Sequence, residues 1–282
     1  MKRNIFLFQL FLFSSLLFAQ TNDEQKYLLT TETSTYGLST IKLTDPYLSP
    51  ISYSGIGLRY ENESRRFLST QNTNISKQSN FKLMCGLAFN PTITASMTYM
   101  GMNYDWGMHY HFRPFTGLQL LVGGLCDVDF GLKDISRNVN NPINLDLATN
   151  LNLSGVVIYD IPLSRKVLQL QIALQSPILG YMFVPGEGTS YYEIFELGNF
   201  TNTTHFSSLH NKRGINGTFS VDVPFKYSIW RFGFNYHELD YSSNNLIFKR
   251  KDVCLLIGST FDIATFAGRG NRAPRNFIST KE

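Results

Sequence analysis

Apolar side chains recur at every second position along most of this chain. Ile215, Phe219, Val221, Val223 and Phe225 alternate with Asn216, Thr218, Ser220 and Asp222. After Lys226-Tyr227-Ser228, Trp230, Phe232, Phe234 and Tyr236 alternate with Arg231, Gly233, Asn235 and His237. A period of two puts one class of side chain on each face of a strand, so this segment reads as a β-hairpin. The same pattern runs through Phe81–Phe89, Met100–Phe112, Leu145–Ile161, Leu168–Leu174 and Val253–Ile263. No stretch beyond about three turns reads as an amphipathic helix.

Nine strands are predicted, near 52–66, 80–90, 94–112, 117–131, 144–161, 166–176, 214–224, 228–240 and 246–263. The short connections 113–116, 162–165 and 225–227 and the long ones 132–143 and 177–213 alternate in sequence. Bacterial barrels keep short turns on the periplasmic side and long loops outside, and their strand number is even. Parity therefore calls for an earlier strand, which Tyr27–Leu43 supplies, with Asp45-Pro46-Tyr47 as its turn. About ten strands are expected, with eight to twelve compatible.

Alternation suits two architectures. A soluble sandwich buries the apolar faces, whereas an outer-membrane barrel turns them to lipid and lines its lumen with the polar ones. The strands are long for a globular protein. Charged residues make up 16% of the chain, against roughly 25% in soluble proteins, so the polar faces do not look like a water-exposed surface. Rings also gather at strand ends, where Tyr110, Phe112, Tyr159, Phe225, Trp230 and Phe261 form a candidate girdle. The favoured fold class is therefore all-β, an antiparallel transmembrane barrel of the outer membrane, with a secreted β-sandwich binding module as the alternative. In the barrel, Arg59, Glu61, Lys82, Asp105, Asp129, Asp146, Asp160, Asp222, Arg231 and Asp262 face inward as lumen-lining polar groups. Ten strands enclose a lumen that side chains fill, which favours a narrow or plugged interior over an open porin.

Lys2 and Arg3 precede an apolar run from Ile5 to Leu17 that breaks at Ala19-Gln20. This is the pattern of a secretory signal peptide covering 1–19. It leaves one barrel domain over 20–266 and a basic C-terminal tail over 267–282. The net charge of +4 includes Lys2 and Arg3, so the exported chain has no basic footprint for nucleic acid. Cys85, Cys126 and Cys254 are widely spaced and make neither a disulfide framework nor a metal site. No cofactor or metal is expected, and the expected partner is the lipid bilayer. A small-molecule or protein partner is left open.

Three segments carry a resemblance: Ser136-Arg137-Asn138-Val139-Asn140-Asn141-Pro142, Ser190-Tyr191-Tyr192-Glu193-Ile194-Phe195-Glu196-Leu197 and Ser207-Ser208-Leu209-His210-Asn211-Lys212. Through them the chain resembles a Bacteroidota-type family of secreted proteins classed only as a domain of unknown function, number 3316. The resemblance implies a Gram-negative outer-membrane barrel and supplies no activity or catalytic residue. The segments fall in the two long loops, where Tyr191, Tyr192 and Phe195 are candidate contacts for a ligand.

Candidate chemistry is sparse. A barrel-rim hydrolase acting on lipid, peptide or glycan needs His beside Ser and a carboxylate. His205, Ser207, Ser208, His210 and Glu193 are the residues on offer. No GxSxG, HExxH or phosphate-loop motif accompanies them. The reading favoured here is a structural or surface-interaction role, with a small pore as a variant of it.

Overall fold

The computed structural model describes residues 27–135, 142–164, 166–226, 228–264 and 277–281. The signal-peptide segment, Ser136–Asn141 of the resemblance, and 267–276 and 282 of the tail lie outside them. The elements run β1 (Tyr27–Asp45), β2 (Ser49–Phe67), β3 (Ile75–Phe89), β4 (Ser96–Phe115), β5 (Leu118–Ile135), β6 (Ile143–Leu163) and β7 (Lys166–Phe183). A short helix α1 (Tyr191–Phe195) follows, then β8 (Thr204–Ser208), β9 (Lys212–Pro224), β10 (Ile229–Ser243), β11 (Leu246–Ala264) and β12 (Phe277–Ile278).

Wall strands pair antiparallel with their neighbours, and Leu29–Thr44 of β1 pairs with Lys249–Ala264 of β11. That ladder closes the sheet and excludes the two-sheet sandwich. β8 and β9 both lie along β7 and act as one wall strand interrupted at 209–211. The result is a closed ten-stranded antiparallel barrel, with β12 a two-residue parallel addition beside Tyr27-Leu28. Two connections are shorter than the sequence pattern implied. β3 begins at Ile75, which reduces the 67–79 link to 68–74, and β7 continues to Phe183 with β8 folded back upon it. At the β10–β11 hairpin Asn244 and Asn245 take φ of 51° and 61°, the left-handed pair that a two-residue turn requires.

The outer face is the apolar one. Leu38, Ile56, Leu58 and Leu255 are each more than 60% exposed, far beyond what a water-facing wall tolerates as a continuous patch. On β11 the outward apolar positions run from Val253 to Ile263. Ten steps of about 3.3 Å, tilted by about 40°, span about 25 Å, the height of an outer-membrane apolar band. The fold is thus an outer-membrane-type barrel with lipid as the solvent of its outer wall.

Near the rim away from the chain termini (the far rim) the two faces exchange polarity. Ile41 and Leu43 point inward while Lys42 points outward. Phe248 is buried inside while Lys249 and Lys251 are exposed. Inner apolar clusters form there from Ile41, Leu43, Tyr53, Met97 and Tyr99 and from Met182, Val184, Leu246 and Phe248. The expectation of a wholly polar lumen is corrected at this rim. Strands that project beyond the band meet water outside, so the apolar positions move to the inner face and make a small core. Gly101 makes room for one member, since a Cβ there would lie 2.9 Å from the Tyr99 ring.

Ile257→Arg places a charge near the middle of the band and should cost about 2–4 kcal/mol, read as a smaller heat-modifiable fraction after refolding into bilayers. Ile247→Arg, outward but beyond the polarity exchange, should refold as wild type. Equal behaviour of the two variants would contradict the position of the band.

Candidate functional site

The lumen is the most highly organised polar region. Arg59 on β2 reaches past β1 and donates from Nη1 to Asn235 Oδ1 on β10 (2.7 Å) and Asp252 Oδ2 on β11 (3.0 Å). Its Nε lies 2.6 Å from Glu61. Lys82 donates to Asp105 (2.8 Å), and Arg231 grips Asp222 through two nitrogens at 2.6 and 2.9 Å. Arg250 donates to the Tyr99 hydroxyl and pairs with Asp252 at 3.2 Å. Each buried cation therefore meets at least one carboxylate or neutral acceptor, as burial of charge demands. Lys212 donates to Asn150 Oδ1 (2.8 Å), and Asp127 accepts from the side chains of Asn150 and Asn152 (2.6 and 2.7 Å).

The far mouth closes around Asp45, which the sequence placed in a turn and nothing more. Its side chain is fully buried and accepts from Lys133 (2.9 Å), Asn144 (2.7 Å) and the Tyr47 backbone N–H (3.1 Å). Lys133 also contacts Asp146, which accepts from the Tyr241 hydroxyl. Above this hub Tyr47 donates to the Thr189 carbonyl (2.8 Å) and meets the Tyr191 ring edge-on. Burial, reinforced by Asp45 and Glu193, pushes the Tyr47 phenol up to about 12, so it stays a donor. Burial likewise raises the Tyr191 phenol. Tyr191 donates to Asn144 (2.6 Å) and accepts from the Leu145 N–H (2.7 Å).

Cavities of about 80 and about 70 Å³ lie between these closures. A water needs on the order of 10–15 Å³ by this kind of measure, so each has room for several waters. At the terminal rim, residues 277–281 turn into the mouth. Ser279 donates to Asp262 (3.1 Å), Thr280 Oγ1 lies 3.1 Å from Thr31 Oγ1, and Lys281 donates to Asp222 (2.9 Å).

Of the inward polar residues expected from the sequence, Arg59, Glu61, Lys82, Asp105, Asp146, Asp222 and Arg231 meet in this network. Asp129 borders the larger cavity, Asp160 accepts from Gln169 (2.8 Å), and Asp262 lies exposed at the terminal rim. The expected girdle residues Tyr110, Phe112, Tyr159, Phe225, Trp230 and Phe261 are exposed toward that same rim. Asp45, Lys133, Asp252 and Arg250 were missed. Lys133 shares the inward phase of Asp129 and was legible on that ground. Asp45 carried no such signal.

Loop residues behave unequally. Tyr191 is partly buried and stacked on Phe195, while Tyr192 is 65% exposed. Glu193 accepts from the Ser190 N–H, and Ser190 Oγ accepts from the Glu193 N–H, which together cap α1. Ser208 Oγ lies 2.6 Å from His210 Nδ1, His205 contacts the Asn202 carbonyl, and Ser207 is buried. Among the described residues no carboxylate hydrogen-bonds His210, and no His/Cys/Asp/Glu group is arranged for a metal.

Fold and interior together define an outer-membrane-type β-barrel whose lumen is crossed by ion pairs and hydrogen bonds. The chain belongs to the family described as protein of unknown function (DUF3316), whose model matches residues 5–270. No curated protein matches it. Among solved structures it is similar to the translocator domain of autotransporter NalP from Neisseria meningitidis, at 10% identity and TM-score 0.44, covering 92% of this chain and 95% of that one. It is also similar to the outer membrane protease OmpT from Escherichia coli, at 6% identity and TM-score 0.47, covering 88% and 100%.

Asp45→Ala should destabilise the barrel by about 3 kcal/mol. That is the low end for a broken buried pair, because Lys133 keeps Asp146. Asp45→Leu combined with Lys133→Met and Asp146→Asn, which leaves no carboxylate of the hub without its cation, should lose less than Asp45→Ala alone. Urea midpoints in detergent measure both, and the reverse order would contradict the role of Asp45 as hub.

Proposed function

We propose that this protein is an integral outer-membrane protein of a Gram-negative bacterium, exported through a cleaved signal peptide over 1–19. Its barrel is closed and non-conducting, and its role is structural or in surface interaction. The observation that carries this reading is the far mouth, where Asp45, Lys133 and Asn144 meet under Tyr47 and Tyr191. The ion pairs beneath and Lys281 at the opposite end support it. Since nothing passes through, function resides on the outer surfaces. Tyr27 and residues 277–281 lie at one rim and the connection 184–203 at the other, which fits a periplasmic terminal rim and an extracellular far rim. The exposed face of α1, with Tyr192, and the neighbouring Leu197 (65% exposed) then offer a surface to an external partner.

A barrel-rim hydrolase has the Ser208–His210 contact in its favour. Without an orienting carboxylate, and with Glu193 committed to its cap, that pair is half of the required constellation. Planar-bilayer recording of the refolded chain should give no unitary conductance steps in concentrated KCl. Regular porin-sized steps would refute the closed-barrel reading.

A further inference from the structure

On the outer wall at the barrel seam, Lys42 of β1 and Lys251 of β11 are direct cross-strand partners, with Lys249 opposite Thr44 on the same face. Like charges set directly opposite in a ladder repel one another. The wall relieves them unevenly, for Lys251 Nζ lies 5.0 Å from the centre of the Tyr236 ring and Lys42 has no such contact among the described residues. Lys251 stands 3.9 Å from Glu238 and Lys249 stands 3.9 Å from Asp240, all four side chains about half exposed. Pairs of that kind are weak. Lys42 is exposed, and no side-chain partner for it is found among the described residues. Three cations thus face two loosely held carboxylates, and Lys42, directly opposite Lys251, is met by neither of them.

Depth says what that is. These lysines sit where the faces exchange polarity, one outward position beyond Val253 on β11. Immediately toward the bilayer lie Leu38 (67% exposed), Leu255 (68%) and Ile56 (70%), among the barest apolar side chains of the wall. Ser54, the β2 partner of Lys42, adds a hydroxyl beside the lysines. Two ammonium groups and a hydroxyl over a smooth apolar track match a molecule with a phosphate at its head and acyl chains below. We propose that Lys42 and Lys251 bind a phosphate of a phosphorylated glycolipid in the outer leaflet, whose acyl chains lie along Leu38, Ile56 and Leu255. The inference rests on the outer-membrane reading above and adds a lipid site to it. A zwitterionic phospholipid brings its own cation and leaves the lysine pair uncompensated, whereas a phosphate monoester supplies close to two negative charges.

The test refolds the full chain into phosphatidylcholine vesicles carrying a trace of diphosphorylated lipid-A-type glycolipid and measures retained glycolipid by native mass spectrometry. Wild type should retain the phosphorylated form and not its dephosphorylated counterpart. The K42Q/K251Q variant should retain about 30-fold less, the factor expected for two lysines at an anionic lipid. E238Q/D240N, which frees Lys249 and Lys251, should retain more than wild type, a gain that a merely structural role would not produce. Excess inorganic phosphate should leave the glycolipid in place. Equal retention by wild type and K42Q/K251Q, equal retention of the dephosphorylated lipid, or displacement by inorganic phosphate would each overturn the proposal. Heat-modifiable migration is scored first. A wild-type chain that fails to insert would bring down the outer-membrane reading and the lipid site with it, whereas an inserted barrel that ignores the phosphate brings down the site alone.

Discussion

The structure depends on one constraint: a narrow closed wall whose apolar side faces outward must find, within its own lumen, a partner for every charge that it turns inward. Water cannot do this at scale in cavities of about 80 and about 70 Å³, so side chains do. Arg59 answers to Glu61, Asn235 and Asp252, and Arg231 to Asp222. The bonds from Arg59 to Asn235 and Asp252 join strands distant in sequence, whereas Glu61 lies on the same strand as Arg59 and Asp222 is the direct cross-strand partner of Arg231. Desolvation offsets most of their Coulombic gain, so their contribution to net stability is small, but removing a single partner is expensive. Their consequence is register. A one-residue slip of β2 against β1 would carry Arg59 to the lipid and Leu58 to the lumen, and the whole inner set would be orphaned.

Beyond the lipid band the same constraint changes sign. Where the strands project into water, the inner face becomes the apolar one, and Ile41, Leu43, Met97 and Phe248 build the only kind of core that this geometry permits. That core supports the Asp45 hub, and the hub holds the β1–β2 turn across the mouth. Closure at the far rim therefore follows from strand length. At the terminal rim a different device serves, since residues 277–281 lie inside the mouth and Lys281 joins Arg231 on Asp222.

Much of this was legible in the sequence because alternation is a local signal. The hairpin from Ile215 to Tyr236, the inward phase of Arg59 and Asp222, and the need for a strand over Tyr27–Leu43 all follow from spacing and loop parity. What stayed hidden depends on contacts at long range. Asp45 and Lys133 are 88 residues apart and meet only because β1 and β5 face each other across a closed barrel. The polarity exchange at Ile41–Lys42 reads, in one dimension, as a break in the pattern, and only depth explains it. Tyr191 resembled a ligand anchor because exposure of a loop residue is the default. Its hydroxyl instead bonds Asn144 and the Leu145 N–H, two neighbours on β6 that no loop motif could disclose.

The lumen network also bears on which functions the barrel can serve. Catalysis by Ser208 and His210 would need a carboxylate delivered to the far rim, and Glu193, the candidate for that role, caps a five-residue helix that would fray without it. Conduction would need the Asp45 and Arg59 clusters to part together, which exposes several buried charges at once. Neither demand falls on the outer wall, where Lys42 and Lys251 are held opposite each other at a cost that the folded chain relieves only on the Lys251 side. A repulsion maintained at the seam, at the edge of the apolar band, is intelligible when the surrounding lipid is counted as part of the structure.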